Sequence, residues 1–220
     1  MTREELIKKV ALKMDEISSS DEVIESVGTG DNNPLYTQIN NLLNESVNDV
    51  LMKAPIYRLS GHVAKATPLQ LTIDILFANT PMKRKAARFV VPTDFVRLAS
   101  ITDDAFQRPI TDLAQQGDEV DKMQHNMHLV AKTAKPVAVI SNSALGREIT
   151  CYSYSETDTV NPDVKYIKRY DNDKDTTAET GLDDYMIDLV SWVCAGKVFA
   201  ARGDVQRGKL CDESAASLMI

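Results

Sequence analysis

The spacing of apolar residues changes twice along this chain, and these changes limit its possible folds more than any other feature. Up to about residue 57, apolar residues recur every three to four positions, as in helices that bury one face. From 58 to 177 they alternate with polar residues between turn signals, as in strands. The helical spacing then returns, and helices at the two ends can bury their apolar faces only against one another. The sequence therefore predicts an α+β fold: a helical bundle of residues 1–57 and 178–220, with an inserted antiparallel β-rich unit at 58–177.

The first 57 residues are predicted to form two helices, the first ended by the serines at 18–20 and joined to the second by a polar loop at 21–33. Thr2 and Glu5 have the spacing of a capping box, in which each side chain accepts a hydrogen bond from the other residue's amide. Asn33 is expected to cap the second helix, with Pro34 at its first position. The apolar faces expected to be buried are Leu6, Val10, Met14 and Ile17, then Leu35, Ile39, Leu42, Leu43, Val47, Val50 and Leu51. The residues expected to face away from the second apolar face are Asn40, Asn41, Glu45 and Asn48.

The middle of the chain is predicted to be rich in strands. The clearest strand has Leu69, Leu71, Ile73, Ile75 and Phe77 alternating with polar residues, which indicates one buried face. Further strands are predicted at Ala87–Val91, Phe95–Ile101, Val137–Ile140, Ile149–Tyr154 and Val164–Tyr170. Turn signals separate them at Asn79-Thr80-Pro81, Asn142 and Asn161-Pro162. The polar stretch 111–128 is expected to be an exposed loop or a short helix.

The C-terminal region is predicted to contain two helices. Thr180 and Asp183 resemble the start of a capping box, and Gly203 and Asp204 are expected to end one helix and cap the next. Gly196 lies inside the first of these helices, which indicates a closely packed neighbour. Apolar residues between Tyr185 and Ala200 cover nearly all sides of that helix, so we expect it to be buried in the bundle or against other chains. The last helix is expected to be lined by Leu210, Ala215, Ala216 and Leu218.

Charge and cysteine content restrict the class of protein. The net charge of −7 argues against a general nucleic-acid binder, and it fits either ordinary acidic solubility or a surface that repels a passing polyanion. Cys151, Cys194 and Cys211 are predicted to be reduced, mostly buried thiols. The charged start and the lack of a run of about 20 apolar residues predict no signal peptide and no membrane span. A soluble intracellular protein is expected.

Two groups of residues have some likeness to metal sites. His125 and His128 are three residues apart near Asp118, Glu119 and Asp121, but no third ligand has diagnostic spacing, so a solvated segment is favoured. The aspartates at 171, 173 and 175 resemble the opening of a calcium loop. Threonine at 176 and leucine at 182 replace the expected glycine and glutamate, so a solvated linker is favoured. No catalytic, cofactor-binding or metal-binding residues are predicted.

One basic cluster is a candidate for contact with a partner. Lys83, Arg84 and Lys85 come just after Pro81, with Met82 between, and are predicted to lie in an exposed loop. Such a cluster is suited to phosphates or to an acidic protein surface, although most such triplets are simply solvated charges.

Parts of the chain resemble a known family of virion proteins. NPLYTQINNLLNESVNDVLMKAP at 33–55, FVVPTDFVRLASITDDAFQRPI at 89–110 and the C-terminal DYMIDLVSWVCAGKVFAARGDVQRGKLCDESAASLM are similar to head-to-tail adaptor (connector ring) proteins of tailed phages. The likeness is to the tail tubular protein A type and to ring proteins of crAss-like phages. It includes the pattern P-x-D-F-x-R-L at 92–98 and an alanine-rich helix pair, with alanines at 195, 200, 201, 215 and 216. The resemblance covers about half of the chain and leaves 111–161 unmatched.

The resemblance implies a structural protein of the virion at the head–tail interface, made in the host cytoplasm. Twelve copies would form a ring below the portal protein, bind downstream tail proteins and let genomic DNA pass without sequence-specific binding. The helices Leu35–Leu51 and Tyr185–Arg202 would provide lateral contacts, and Lys83, Arg84 and Lys85 would meet a neighbour's acidic surface. No cofactor is implied.

Two alternatives stay open at this point. The first is a tail-completion or tail-terminator ring, which would bind the tail end in place of the portal. The second is a metal-dependent or hydrolytic enzyme with a site assembled from Asp171, Asp173, His125 and His128.

Overall fold

A computed structural model of the chain describes residues 1–17, 34–172, 177 and 179–219. The described residues form a mixed α+β structure with five α-helices and two sheets. They divide into two compact units, a helical one of Met1–Gly61 with Arg169–Ile220 and a β-rich one of His62–Lys168. The predicted helix end at 18–20, the predicted loop at 21–33, the predicted Asn33 cap, and Asp173 and Asp175 lie outside the described residues.

The elements follow the chain in a simple order. The helices are α1 (Arg3–Ile17), α2 (Pro34–Lys53), α3 (Glu119–Gln124), α4 (Asp184–Ala201) and α5 (Val205–Leu218). Two short 3₁₀ turns, Ile56–Arg58 and Ser60–His62, follow α2. The strands are β1 (Val63–Ala66), β2 (Leu69–Leu76), β3 (Arg84–Val90), β4 (Phe95–Thr102), β5 (Leu113–Gln115), β6 (Ala138–Ser143), β7 (Gly146–Ser155) and β8 (Asp163–Lys168).

Helix α4 is the central element of the helical unit, because α1, α2 and α5 all pack against it. Most of its apolar residues are buried, as the sequence predicts. The prediction of burial on nearly all sides is wrong in part, since Trp192 and Val193 are only half-buried and Ala200 is exposed. Three neighbouring helices enclose most of the circumference of α4 but leave one side open.

Helices α4 and α5 come closest at two glycines, which confirms the close neighbour predicted for Gly196. A Cβ atom added at Gly196 would lie 3.1 Å from Asp212 Oδ1, 3.3 Å from Cys211 Cβ and 3.4 Å from the Gly208 carbonyl oxygen. A Cβ at Gly208 would lie 3.3 Å from the Gly196 carbonyl oxygen. The two backbones meet where neither residue has a side chain, and this allows the turn at Gly203 to fold α5 back onto α4.

The residues that line α5 differ from those predicted. Gly208, Cys211 and Ala215 face α4 and are buried, whereas Leu210 and Leu218 are 50% and 40% exposed and Ala216 is also exposed. Small residues occupy the buried face because the close approach at Gly196 leaves no room for leucine. The predicted cap of α5 is confirmed, since the Asp204 side chain accepts a hydrogen bond from the Arg207 amide.

We predict that Gly196→Ala lowers the free energy of unfolding by about 1 kcal/mol, although alanine favours helices, because the new methyl group overpacks the α4–α5 contact. Urea denaturation of the purified chain measures the change. The matched control is Gly61→Ala, which adds a methyl group with no atom within 4 Å and should change stability little. Equal stability of the two variants would contradict the close contact.

Hydrogen bonds of Thr2, Glu5 and Thr180 fix the start of the chain and of α1. Thr2 and Glu5 form the predicted capping box, with the Thr2 amide 2.8 Å from Glu5 Oε2 and the Glu5 amide 3.3 Å from Thr2 Oγ1. The prediction that Thr180 opens the cap of α4 is wrong. Asp183 alone caps the helix by accepting from the Met186 amide, while both the amide and the hydroxyl of Thr180 donate to the Met1 carbonyl oxygen.

Arg3 is completely buried and joins α1 to α2. Its Nε donates to Asn40 Oδ1 at 2.5 Å, one terminal nitrogen donates to Asn44 Oδ1 at 2.7 Å, and the other donates to the Asn40 carbonyl oxygen at 2.8 Å. Burial lowers the pKa of the guanidinium, and the nearby Tyr170 opposes that shift. Since arginine stays protonated at any ordinary pH, this cation depends on the amide oxygens around it.

The same face of α2 also binds the chain where it returns to the helical unit. Asn48 makes two hydrogen bonds of 2.9 Å with the backbone of Tyr170, and Asn44 Nδ2 donates to the Asn172 carbonyl oxygen at 2.9 Å. Asn40, Asn44 and Asn48 are four residues apart and form one row on the helix. The prediction that Asn40 and Asn48 face away from the interior is therefore wrong, because their amides pair with buried polar groups.

We predict that Arg3→Met lowers the free energy of unfolding by about 2–3 kcal/mol, because the amide oxygens of Asn40 and Asn44 lose their charged donor while the volume is kept. Urea unfolding again provides the measurement. Arg169→Met, at an exposed position of the same unit, is the control and should change stability by less than about 0.5 kcal/mol. If the two substitutions had the same effect, Arg3 would not be a structural residue.

The β-rich unit consists of two sheets. One has the strand order β1-β8-β4, and the other has the order β2-β3-β7-β6-β5. All pairings are antiparallel except β5 with β6, which is parallel and departs from the expected antiparallel unit. Strand β5 lies in the segment predicted to be a loop or a short helix, and α3 follows it there. Asn142 lies within β6 and does not mark the turn, which falls at 144–145.

The P-x-D-F-x-R-L segment attaches the start of β4 to its neighbours. The Phe95 ring stacks on Tyr166 of β8 with 5.7 Å between ring centres, and the Tyr166 hydroxyl donates to Asp94 at 3.0 Å. Burial, with the hydrogen bond to Asp94, raises the pKa of Tyr166 to about 12. Arg147 of β7 lies over the Phe95 ring and donates to the Phe95 carbonyl oxygen. The segment has a structural role here, because it ties together strands of both sheets.

Candidate interaction surface

Strand β2 carries the most exposed apolar side chains among the described strands, and Leu71, Ile73 and Ile75 share one of its faces. Leu69, Leu71, Ile73 and Ile75 are 53%, 40%, 48% and 62% exposed. The predicted strand is confirmed, but the prediction that its apolar face is buried is wrong within a single chain. A row of aliphatic side chains on one strand is the type of surface by which proteins bind partners.

The register of the sheet explains why this face is uncovered. Ile73 lies opposite Ala87 of β3 and Ile75 lies opposite Lys85, so both isoleucines share the face on which Ala87 is buried. The core of the β-rich unit includes residues of β3, β6 and β7 from this sheet, but none of its members comes from β2. Strand β2 therefore extends the apolar face of the sheet beyond the core.

The edge position of β2 adds to the exposure of its side chains. It is the first strand of the five-stranded sheet and pairs only with β3, so its outer backbone edge faces no strand of this sheet. Gln70 and Phe77, at its two ends, have φ angles of 53° and 56°, which are unfavourable for residues with a side chain. Gln70 also lies at an irregularity in the pairing with β3. Local strain of this kind is often retained at functional positions.

The basic cluster lies beside this strand. Lys83 is exposed, as predicted, and lies just before β3. Arg84 and Lys85 are the first residues of β3, so the prediction of a loop is wrong for these two. Lys83 Nζ is 3.3 Å from Glu156, and Lys85 Nζ donates to the Asp158 carbonyl oxygen at 2.9 Å. Strand pairing with β7 brings these groups together. The role of the cluster in partner contact stays a prediction.

A groove of about 630 Å³ lies at the opposite edge of the same sheet. It is lined by residues 108–114, Asp118, Val120 and residues 136–138, which surround the start of β5 and β6. Ile110 and Pro136 are buried in its wall, while Asp112 is exposed. Sequence reasoning missed this groove because β5 has only three residues and no alternating pattern of its own.

The described residues of the possible metal site belong to different compact units, with His125 and His128 in the β-rich one. His125 ends α3 with its Nε2 3.6 Å from Asp121, and His128 is exposed nearby. Asp171 belongs to the helical unit. Within the described ranges, no group of three or more histidine, cysteine, aspartate or glutamate side chains is arranged to hold a metal ion.

All three cysteines are free and buried. Burial raises the pKa of Cys194 to about 11 and that of Cys211 to about 11, and it also raises the pKa of Cys151. At neutral pH all three are protonated thiols. They act as small apolar side chains that fill the interior.

Comparison with known proteins identifies no family for this chain. No protein-family model matches it, and no curated protein is significantly similar to it in sequence. Among the helices that the structure describes, none has the length and apolar content needed to cross a membrane. The exposed apolar face of β2 and the groove beside β5 are the surfaces of the β-rich unit most suited to binding a partner.

We predict that Ile73→Thr and Ile75→Thr each change the free energy of unfolding of the monomer by less than about 0.5 kcal/mol, because both side chains are largely exposed. Threonine keeps the branched shape that suits a strand. The matched control is Ile149→Thr on β7, which is fully buried and should lose about 2–3 kcal/mol. Urea unfolding at high dilution measures all three, and losses at Ile73 or Ile75 as large as at Ile149 would mean that the face is covered within one chain.

Proposed function

We propose that this protein is a structural component of a tailed-phage virion, where it forms an oligomeric ring that joins the portal vertex to the tail and lines the DNA exit channel. The observation that carries the proposal is the exposed aliphatic face of β2 on a sheet edge. An isolated chain leaves this face in water, and association with further copies would cover it. The sequence resemblance to head-to-tail adaptor proteins supports the same function.

The helical unit would supply the second lateral surface of the ring. In this proposal α1, α2, α4 and α5 form a bundle, and its outer side packs against the next subunit. The open side of α4, with Trp192 and Val193 half-buried, is one contact region. A shallow depression of about 530 Å³ between the start of α2 and the end of α4 is another, and Leu42 contributes to its wall. Rings of this kind need a head-to-tail contact that closes on itself.

The charge of the chain suits the lining of a DNA channel. Its net charge of −7 means that the chain as a whole would repel DNA. A polyanion held by few phosphate contacts moves along its path more readily than one bound by many lysines and arginines. The acidic net charge is therefore consistent with passage of the genome without sequence-specific binding.

We predict that electron microscopy of the full chain, coexpressed with the portal protein encoded in the same genome, shows an additional ring of twelve-fold symmetry below the portal. The portal alone is the control, and native mass spectrometry gives the number of copies bound. A chain that stays monomeric and leaves the portal bare would contradict the proposal. A ring that binds isolated tails in place of the portal would instead favour a tail-completion protein.

A further inference from the structure

We propose that the β2–β3 hairpin, residues 69–90, of one copy docks into the groove beside β5 of a second copy. We call the latter the β5 groove, lined by residues 108–114, Asp118, Val120 and 136–138. The inference rests on the proposed ring function, and it assigns the lateral contact of that ring to two unlike edges of one sheet. The occupant of the β5 groove is thus another copy of this same chain.

The shapes of the two edges favour this pairing. The β2 edge presents aliphatic side chains outward, of which Ile75 is the most exposed at 62%. The β5 groove is concave and has apolar residues in its wall, among them Ile110, Leu113, Val120 and Val137. Insertion of the hairpin would remove apolar surface from water on both sides. Because the two surfaces differ, each copy has one of each to offer, which is the condition for a heterologous contact that closes into a ring.

The charges of the two edges are complementary. The hairpin carries four basic side chains and one acidic one, Lys83, Arg84, Lys85, Arg88 and Asp74. Of the residues that line the β5 groove, Asp112 and Asp118 are acidic and Arg108 is basic, and the exposed Glu119 lies next to Asp118 in the chain. Opposite potentials on facing surfaces guide association and fix the register of the contact. This complementarity gives the basic cluster a specific partner, the acidic rim of the β5 groove.

Docking by side chains is favoured over extension of the sheet through β5. The carboxylate of Asp118 accepts the Gln115 amide at 2.9 Å, and β5 has only three residues. Because β5 is short and the Gln115 amide already donates to Asp118, the edge of β5 has few backbone groups left to pair with another strand. The hairpin would therefore enter the groove mainly through Leu71, Ile73 and Ile75, because the irregularity between Leu69 and Thr72 puts Leu69 on the opposite face of the strand.

A symmetric pairing of β2 with β2 of another copy fits the observations less well. It would place two hairpins of excess positive charge in the same interface, where they repel each other. It would also produce a two-fold dimer that uses up the β2 face and leaves the β5 groove empty. Such a dimer cannot continue into a ring through the same surface.

The test uses a photo-crosslinking amino acid, p-benzoylphenylalanine, in place of Ile75 in the full chain assembled on its portal. Half of the copies carry ¹⁵N, so that mass spectrometry separates crosslinks between copies from those within one copy. We expect crosslinks between copies that map to residues 108–124 or 136–138. The control places the same amino acid at Leu145, which is 64% exposed on the β6–β7 turn and should give no crosslink to the groove.

A charge exchange provides the second readout. Asp112→Lys should weaken assembly by about threefold per contact at low salt, and Lys83→Glu in the same chain should restore it. Crosslinks from position 75 to β2 of another copy, or to the helical unit, would overturn the inference, as would rings without any crosslink between copies. In those cases the proposed function would stand because the rings are seen. Absence of any ring on the portal would instead refute the proposed function itself.

Discussion

A row of three asparagines on α2 joins the two separate stretches of chain that make up the helical unit. Asn40 and Asn44 bind the buried Arg3 of α1, while Asn44 and Asn48 bind the backbone at residues 170 and 172. More than a hundred residues of the β-rich unit lie between these partners along the chain. The row fixes where the chain leaves the β-rich unit, and so it brings α4 into the place where α1 and α2 can cover it. Without these contacts a buried cation and several backbone groups would lack partners.

The local signals of the helical unit were readable from the sequence. The capping box at Thr2 and Glu5, the start of α2 at Pro34 and the stop at Gly203 depend on residues close in the chain, and all are present. The prediction for Asn40 and Asn48 is wrong because a polar side chain on a helix usually faces water. The true partners of these two residues, Arg3 and the backbone near Tyr170, lie far away in sequence, and no spacing rule connects them. Long-range polar pairing is thus the part of this unit that the sequence pattern leaves open.

Among the strands, too, local sequence patterns predict some elements, whereas others depend on pairing with distant parts of the chain. Alternation located β2 and β7 because a period of two follows directly from strand geometry. It did not locate β5, whose three residues are too few to show a period and which forms by pairing with β6. Nor did it place Arg84 and Lys85 in β3, since charged residues at the start of a strand look like a turn. The groove beside β5 depends on those tertiary contacts, so half of the candidate surface could not be predicted.

Alternation of apolar and polar residues also predicts which side chains share a face of a strand, but it does not predict which surface packs against that face. The sequence of β2 has the pattern of a strand packed on a core, yet the main core cluster of the β-rich unit contains residues of β3 and none of β2. The pattern and the structure agree if the covering surface belongs to another molecule. A strand that binds only after assembly must keep apolar residues on its binding face and still stay soluble beforehand. In the proposed ring, the basic residues of the neighbouring strand would serve that need, because charge beside an apolar edge opposes pairing between like edges and permits pairing with an acidic one.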